Sequence, residues 1–325
     1  MEEKTERGYS IATGLPPLVF MGTPEFAVPS LRKLAEAGAP ILLVVTQPDR
    51  PSGRGKKVTL PPIKLLAQEL GIPVFQPDRV RKPEAIDRIR SAGAECAVVV
   101  AFGQILPQAL LDVFPRGALN VHASLLPKYR GAAPIHRAIL EGDSGTGISV
   151  MLLDAGMDTG PVLTRRGLEI GDRETFGELH DRLAAAGAEL LIETLKGWKA
   201  GSVAAEPQDD AHASYAPPLR KEEFRLEWTQ PAWHIVSRIR AFDPQPGAFF
   251  MCGGKRVKCF GASLLSLRTA GQGGEIVGLQ AGGLVVLGGD GRSLLIGELQ
   301  MEGQRRVPAP EFVRGRPLPP GTRLG

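Results

Sequence analysis

Hydrophobic and polar positions along the first part of the chain follow two alternating rhythms. Leu18–Met21, Ile41–Thr46, Cys96–Ala101 and Leu119–Val121 are short, continuous apolar runs, which predict buried strands. Between them, Leu31–Ala37, Ile63–Leu70 and Ala85–Ala92 carry apolar residues at helical spacing. Strand alternating with helix predicts an α/β fold: a Rossmann-like, mostly parallel sheet with helices on both faces and its ligands beyond the carboxyl ends of the strands. Ile148–Leu153 adds a further strand. Glu174–Lys199, with Phe176, Leu179, Leu183, Leu190 and Leu191 among its apolar positions, predicts a long helix that closes this first domain, 18–202.

The pattern then changes. Val203–Pro218 is rich in Ala, Asp and Pro without apolar periodicity and is expected to be a linker. Trp228–Phe242 can form one helix. After it come short runs broken by glycine, at Ala248–Cys252, Val257–Phe260, Glu275–Leu279, Leu284–Leu287 and Leu294–Leu299. Such runs predict a small OB-like β-barrel as the C-terminal domain, 219–325, a fold class that often binds nucleic acid. At the other end, Met1–Pro17 lacks the basic start and apolar stretch of a secretory signal, and Glu2, Glu3 and Glu6 argue against a transit peptide. A disordered extension over 1–17 is expected.

Composition adds bounds. A length of 325 residues leaves room for two domains that each bury a core. With 43% hydrophobic and 23% charged residues, and no apolar run of about 18, a soluble protein without membrane contact is expected. Cys96, Cys252 and Cys259 are too few for a disulfide framework, which points to reduced thiols and a cytoplasmic setting. The net charge of +4 is unevenly placed: 15 Lys/Arg stand against 9 Asp/Glu from Leu219 onward, and 24 against 26 before it. The basic C-terminal third suggests attraction to a polyanion.

Candidate chemistry gathers where one apolar strand ends. In Leu119-Asn120-Val121-His122-Ala123-Ser124-Leu125-Leu126-Pro127, Asn120 and His122 occupy alternate positions and face the same way. An amide that donates to a carbonyl oxygen beside an imidazole that exchanges protons near pH 7 suits attack on a carbonyl. Taken alone, the pair fits equally well a polar strand end capping a turn. The whole stretch through Arg130-Gly131-Ala132-Ala133-Pro134 resembles the signature of the formyltetrahydrofolate-dependent formyltransferases, in which Asn-x-His precedes a Ser-Leu-Leu-Pro turn and an Arg-Gly. Asp154-Ala155-Gly156-Met157-Asp158-Thr159-Gly160 resembles the same family's Asp-rich loop, whose second aspartate completes the catalytic set.

The resemblance implies catalytic roles for Asn120, His122 and Asp158. Asn120 donates to the formyl oxygen, His122 stabilises the oxyanion and assists proton transfer, and Asp158 orients His122 and helps deprotonate the amine. It implies a folate site built from Phe102, Gly103, Gln104, Ile105 and Leu106, together with Ser124, Leu125, Leu126, Pro127 and Asp154. The formyl donor it implies is 10-formyltetrahydrofolate, and no metal is expected.

Two further stretches bear on the acceptor. The opening strand, turn and helix from Val19 lack GxGxxG, so no dinucleotide is indicated, and Gly53-Arg54-Gly55-Lys56-Lys57 fails as a phosphate loop. The run from Thr46 through Arg50 and Arg54 to Lys56 and Lys57 instead resembles the basic inserted loop of those family members that formylate methionyl-tRNA, where it reaches the tRNA acceptor end. Arg238, Arg240, Lys255, Arg256, Lys258, Arg305 and Arg306 are candidates for a phosphate-binding face. Ile239-Arg240-Ala241-Phe242-Asp243-Pro244 followed by Pro246-Gly247-Ala248 resembles the start of the family's C-terminal domain, so the likeness runs over nearly the whole chain from Leu18. Initiator methionyl-tRNA is the implied acceptor, for translation initiation, and the expected enzyme is a cytoplasmic, bacterial-type monomer. A small amine acceptor, such as an amino sugar nucleotide or glycinamide ribonucleotide, and a non-catalytic RNA-binding protein on the same scaffold are the alternatives. His136, His180, His212 and His234 have no partners at metal-ligand spacing, and Cys96 lies in an apolar strand as inert core.

Overall fold

The protein is described here by a computed structural model covering residues 14–52 and 57–325. In chain order, β1 (Leu18–Gly22) leads into α1 (Val28–Glu36) and β2 (Ile41–Val45), followed by a small two-stranded excursion, β3 (Arg50–Ser52) and β4 (Lys57–Thr59). Then come α2 (Pro62–Glu69), β5 (Val74–Phe75), α3 (Pro83–Arg90), β6 (Cys96–Val100), α4 (Gln108–Leu111) and β7 (Ala118–His122). The next elements are β8 (Arg130–Gly131), α5 (Pro134–Leu140), β9 (Gly145–Leu152), β10 (Val162–Glu169), α6 (Phe176–Ala200) and β11 (Tyr215–Ala216). The remainder holds α7 (Ala232–Ala241), β12 (Ala248–Cys252), β13 (Lys255–Arg268), β14 (Ile276–Gln280), β15 (Gly283–Leu287), β16 (Arg292–Met301), β17 (Val307–Pro308) and α8 (Ala309–Gly315).

Seven strands form one sheet in the order β10-β9-β7-β6-β1-β2-β5. The pairs β1 with β2, β1 with β6, β2 with β5 and β6 with β7 are parallel, and β7 with β9 is antiparallel. The mostly parallel sheet expected from the alternation is therefore observed. β1, β6 and β7 are buried throughout, which is why they are continuous apolar runs rather than alternating ones. Helices α1, α2, α3 and α5 each carry proline in their first two positions, where its missing N–H costs nothing. Leu31 and Leu34, Ile63 and Leu66, and Ile86 and Ile89 recur at i, i+3 on the buried faces of the first three of these helices.

The order of the strands reverses at β1. The chain moves outward from β1 through β2 to β5, then returns to build β6 and β7 on the opposite side, leaving a crevice beyond the ends of β1 and β6. The two strand ends meet closely there. A Cβ on Gly22 would lie 2.8 Å from the Phe20 ring and 3.0 Å from the Val100 carbonyl, so only glycine fits.

The chain divides into two compact units. One holds the described residues up to Gly131, with Gly147–Gly167 and Asp181–Tyr215; the other holds Ala132–Thr146, Leu168–His180 and Ala216–Gly325. The second unit thus takes α5 and the start of α6 in addition to the C-terminal third. Its antiparallel sheet runs β12-β13-β16-β15-β14, with β17 on β16. That path is open, with β12 and β14 at its two ends. β13 spans 14 residues rather than the four apolar ones at Val257–Phe260, and continues past Gly261 at φ 61. The helix anticipated from Trp228 begins at Ala232, because Pro231 supplies its N-cap and cannot sit inside it.

Two other boundaries are corrected. Of the expected N-terminal extension, residues 1–13 lie outside the described residues, but Leu15 is buried and the Pro17 carbonyl accepts from Glu95 N–H at 2.8 Å. Val203–Pro218 is not a free linker over its described length: Glu206 and Val162 exchange backbone hydrogen bonds at 2.8 and 2.9 Å, and the Ser214 carbonyl accepts from Arg130 N–H at 2.8 Å. No helix among the described residues is long and apolar enough to cross a membrane.

Candidate active site

β7 delivers the first two site residues. Asn120 lies between Val99 of β6 and Met151 of β9, and His122 lies opposite Ser149. Both are buried, at 8% and 6% exposure, in a strand whose other residues are apolar. The Asn120 side chain makes no hydrogen bond within the described residues, and its amide is not sealed off in the core. It is therefore placed for a ligand.

His122 is held by its backbone neighbours. Its Nε2 lies 2.9 Å from the Tyr129 carbonyl oxygen. A carbonyl can only accept, so Nε2 carries the proton and Nδ1 is the nitrogen left to exchange one. Nδ1 lies 3.6 Å from Asp158 Oδ2, beyond hydrogen-bond length. The same Oδ2 accepts from Gly131 N–H at 2.8 Å. The ring is thus held by the Tyr129 carbonyl at Nε2, and the Asp158 carboxylate, expected to orient it, stands opposite Nδ1.

The loop carrying Asp158 is tightly made. Asp154 Oδ1 accepts from Gly156 N–H at 3.0 Å and from Thr159 Oγ1 at 2.8 Å, so this carboxylate, expected at the folate, spends an oxygen on the loop itself. A Cβ on Gly160 would lie 1.9 Å from the Leu152 carbonyl, which makes glycine obligatory. Asp158 has φ 54, Tyr129 φ 60 and Ala101, at the end of β6, φ 46. These are three of the four non-glycine residues at positive φ among those described, and they border one site, where such strain is commonly stored.

The stretch expected to hold folate is only partly free to do so. Phe102 and Leu106 point into the hydrophobic core beneath the sheet end, and the Phe102 carbonyl already accepts from Thr23 Oγ1 at 3.0 Å and Gln47 Nε2 at 3.2 Å. Gln104 accepts from Val80 N–H at 2.7 Å and donates to the Pro77 carbonyl at 3.3 Å. Ala101, Gly103 and Ile105 are exposed, the last at 86%. Ser124 and Leu126 are also turned to the protein: Ser124 Oγ donates to the Lys128 carbonyl at 2.5 Å, and Leu126 packs with Met151 and Val162. Leu125 packs over Gly147, where a Cβ would come within 2.5 Å of it, and the Pro127 carbonyl accepts from Ser214 N–H at 3.3 Å. The Ser-Leu-Leu-Pro turn therefore builds the wall between β7 and β9.

Three residues that carry the site are not among those expected. Arg130 is 2% exposed and directs Nε and Nη2 to Gln208 Oε1 at 3.1 and 2.9 Å, with Nη2 also 2.8 Å from Asp210 Oδ1. Gln208 Nε2 donates to the carbonyls of Asp158 and Gly160 at 2.8 and 2.7 Å. Ser214 Oγ accepts from Tyr129 N–H at 2.9 Å. Arg130 was visible within the Arg-Gly of the motif, whereas Gln208 and Ser214 lie in a segment whose polar interactions leave no periodic trace.

Cysteine chemistry is not available at neutral pH in either buried thiol. Burial pushes Cys96 up to about 12 and raises Cys259 further. No cluster of three or more His, Cys, Asp or Glu that could hold a metal occurs among the described residues.

Of the residues expected to meet RNA, Arg50 is exposed and donates to Gln47 Oε1 at 3.2 Å, while Arg54, Lys56 and the Lys57 side chain lie outside what the structure describes. Arg240 is corrected. It is buried and donates to the Glu174 and Gly171 carbonyls at 2.8 and 2.7 Å, so it fastens α7 to the segment before α6. Arg238 donates to the Arg225 carbonyl at 2.9 Å. Lys255 and Arg256 are exposed on β13, Arg256 lies 5.2 Å from the Phe249 ring, and Lys258 alternates onto the same side as Arg256. Arg306 is engaged by Glu298 and by the buried Asp243, and Arg305 by Glu311.

An amide without a hydrogen-bond partner among the described residues and an imidazole, both on β7, face a carboxylate from the loop after β9, and these are the groups that carbonyl-group transfer uses. Comparison with known proteins gives the class. The family model described as formyl transferase matches residues 18–195, and the formyl transferase C-terminal domain matches 218–317. The chain belongs to the formyl transferase family. The relatives narrow this further: the methionyl-tRNA formyltransferase of Geobacter sulfurreducens is 49% identical over 308 residues, 95% of this chain and 96% of that protein. The enzyme of the same name from Moorella thermoacetica is 46% identical over 95% of this chain and 99% of its own. Among solved structures, the N-formyltransferase of Helicobacter canadensis in complex with folinic acid and dTDP-3-aminofucose has a TM-score of 0.63 at 17% identity, covering 87% of this chain and 99% of that one. HypX of Aquifex aeolicus in complex with tetrahydrofolic acid has a TM-score of 0.62 at 17% identity, covering 92% of this chain and 47% of its own. At these identities the two structures bear on the fold alone.

Proposed function

We propose that this formyltransferase moves the formyl group of 10-formyltetrahydrofolate to the free amino group of initiator methionyl-tRNA, giving N-formylmethionyl-tRNA, with Asn120, His122 and Asp158 at the reacting atoms. The observation that carries the chemistry is the Asn120 amide, without a hydrogen-bond partner among the described residues, beside an imidazole whose Nδ1 lies 3.6 Å from a carboxylate. The acceptor is carried over from relatives 44–49% identical across the chain.

The residues fit an acyl carrier. Asn120 has an N–H to give to a formyl oxygen, and Ala101 and Gly103, just past the end of the neighbouring strand β6, are exposed. The folate supplies the formyl carbon. The amine nitrogen bonds to that carbon as the carbon's bond to the folate nitrogen breaks; one proton leaves the amine and one reaches the departing nitrogen. Asn120 stabilises the charge that develops on the oxygen. His122, its Nε2 fixed by Tyr129, exchanges the protons through Nδ1, and Asp158 stabilises the imidazolium that results.

The test is to incubate the protein with labelled formyl-folate and, separately, methionyl-tRNA, glycinamide ribonucleotide and an amino sugar nucleotide. Label is expected on methionyl-tRNA. Label on a small acceptor with none on methionyl-tRNA would replace the acceptor and leave the chemistry standing.

A further inference from the structure

We infer that Gln208 is a positioning residue for the catalytic carboxylate, an inference that rests on the formyl-transfer reading above. Asp158 stands at φ 54, in the left-handed region that aspartate visits more readily than most residues with a Cβ but still at a cost, and contacts from outside the loop add to those within it in holding it there. Gln208 does so with its whole side chain. One nitrogen donates to the carbonyls of Asp158 and Gly160, on either side of Thr159, and one oxygen accepts both N–H groups that Arg130 directs at it. Every donor and acceptor of the amide is used.

The bonds converge on the reacting pair from both sides. Arg130 is followed by Gly131, whose N–H holds Asp158 Oδ2, and preceded by Tyr129, whose carbonyl holds His122 Nε2. Ser214, on the same segment as Gln208, accepts from Tyr129 N–H and, through its carbonyl, from Arg130 N–H. Gln208 therefore joins the strand that fixes the imidazole to the loop that fixes the carboxylate, and sets the separation between them. Its segment is anchored by the Glu206 and Val162 backbone pair and by Glu206 Oε2 on Arg165 at 3.0 Å.

The choice of residue is specific. Glutamate at 208 would still accept from Arg130 but has no hydrogen to give the two loop carbonyls. Methionine would fill the space and bond to neither side. Only an amide serves a guanidinium and two carbonyls together.

The experiment compares Gln208→Glu and Gln208→Met with the unsubstituted chain on whichever acceptor that chain formylates, so a wrong acceptor shows in the reference and not in the ratio. In both variants kcat is expected to fall by about 10- to 100-fold, the loss that misplacing a reacting group by about an ångström produces. KM for donor and acceptor should stay within about twofold, and the pH profile of kcat should move because the carboxylate facing Nδ1 has moved. In an Asp158→Asn background, Gln208→Glu should lower the rate no further, since the amide acts through that carboxylate. A folded Gln208→Glu with undiminished kcat, an equal loss in the Asp158→Asn background, or failure of both variants to fold would each overturn the assignment.

Discussion

In the proposed reaction His122 starts with one ring nitrogen already committed. Because Nε2 donates to the Tyr129 carbonyl, all proton traffic passes through Nδ1, and the ring can donate there only as an imidazolium. Asn120 has the opposite character, with no hydrogen-bond partner among the described residues and, in the proposed reaction, an N–H for the formyl oxygen. Each of Asn120→Ala and His122→Ala is expected to lower kcat by about a hundredfold or more. Thermal melting should be nearly unchanged for Asn120→Ala, since no hydrogen bond among the described residues is removed. Near-normal turnover in either folded variant, read in a single-turnover assay, would remove that residue from the reacting set. These residues were legible in sequence because they are side chains spaced at the strand period and followed by a long motif. Tyr129 was not, because it acts through a carbonyl that every residue possesses; Gln208 was not, because bonding to backbone imposes no pattern on its neighbours.

At the scale of elements, legibility followed burial on both faces. β1, β2, β6 and β7 were readable as apolar runs, while β10, with Thr164, Arg165 and Arg166 along its length, was not legible in sequence because one side of it faces water. α7 was overextended across Pro231, and β13 was cut at Gly261, where the strand in fact continues. α5 shows what pattern alone cannot assign. His136 on that helix stacks on Phe176 at 3.8 Å between ring centroids, and its pKa is lowered from 6.5 to about 4, first by burial and then by Arg137 and His180. The unfolded chain therefore takes up a proton at 6.5 that the folded chain refuses until about 4. This residue's contribution is complete above pH 6.5 and is lost as pH falls from there towards about 4. Replacing it by phenylalanine, which keeps the stack without the titration, should flatten the fall of melting temperature across that window. An equal slope in both proteins would show that the acid sensitivity arises elsewhere.

For the whole molecule, the uneven charge is the feature that composition exposed and the structure refined. Fifteen Lys/Arg from Leu219 onward suggest a polyanion, but a positive charge attracts phosphate only if it is not already spent. Arg240 and Arg306 are spent, the first on two backbone carbonyls and the second on Glu298 and Asp243. Lys255, Arg256 and Lys258 on β13 remain, with Arg256 over the Phe249 ring, an arrangement that suits both a phosphate and a base. Two variants separate these roles. Arg256→Ala with Lys258→Ala should weaken methionyl-tRNA binding at low salt and reduce the slope of log affinity against log salt by about 1 for each phosphate no longer neutralised, with melting unchanged. Arg240→Ala should leave that slope alone and instead lower stability by about 1–3 kcal/mol, the loss of two charge-assisted hydrogen bonds made by a buried guanidinium, read as a fall of several degrees in Tm. If the Arg240 variant changed the salt slope and kept its melting temperature, the division between structural and RNA-facing arginines drawn from burial would be wrong.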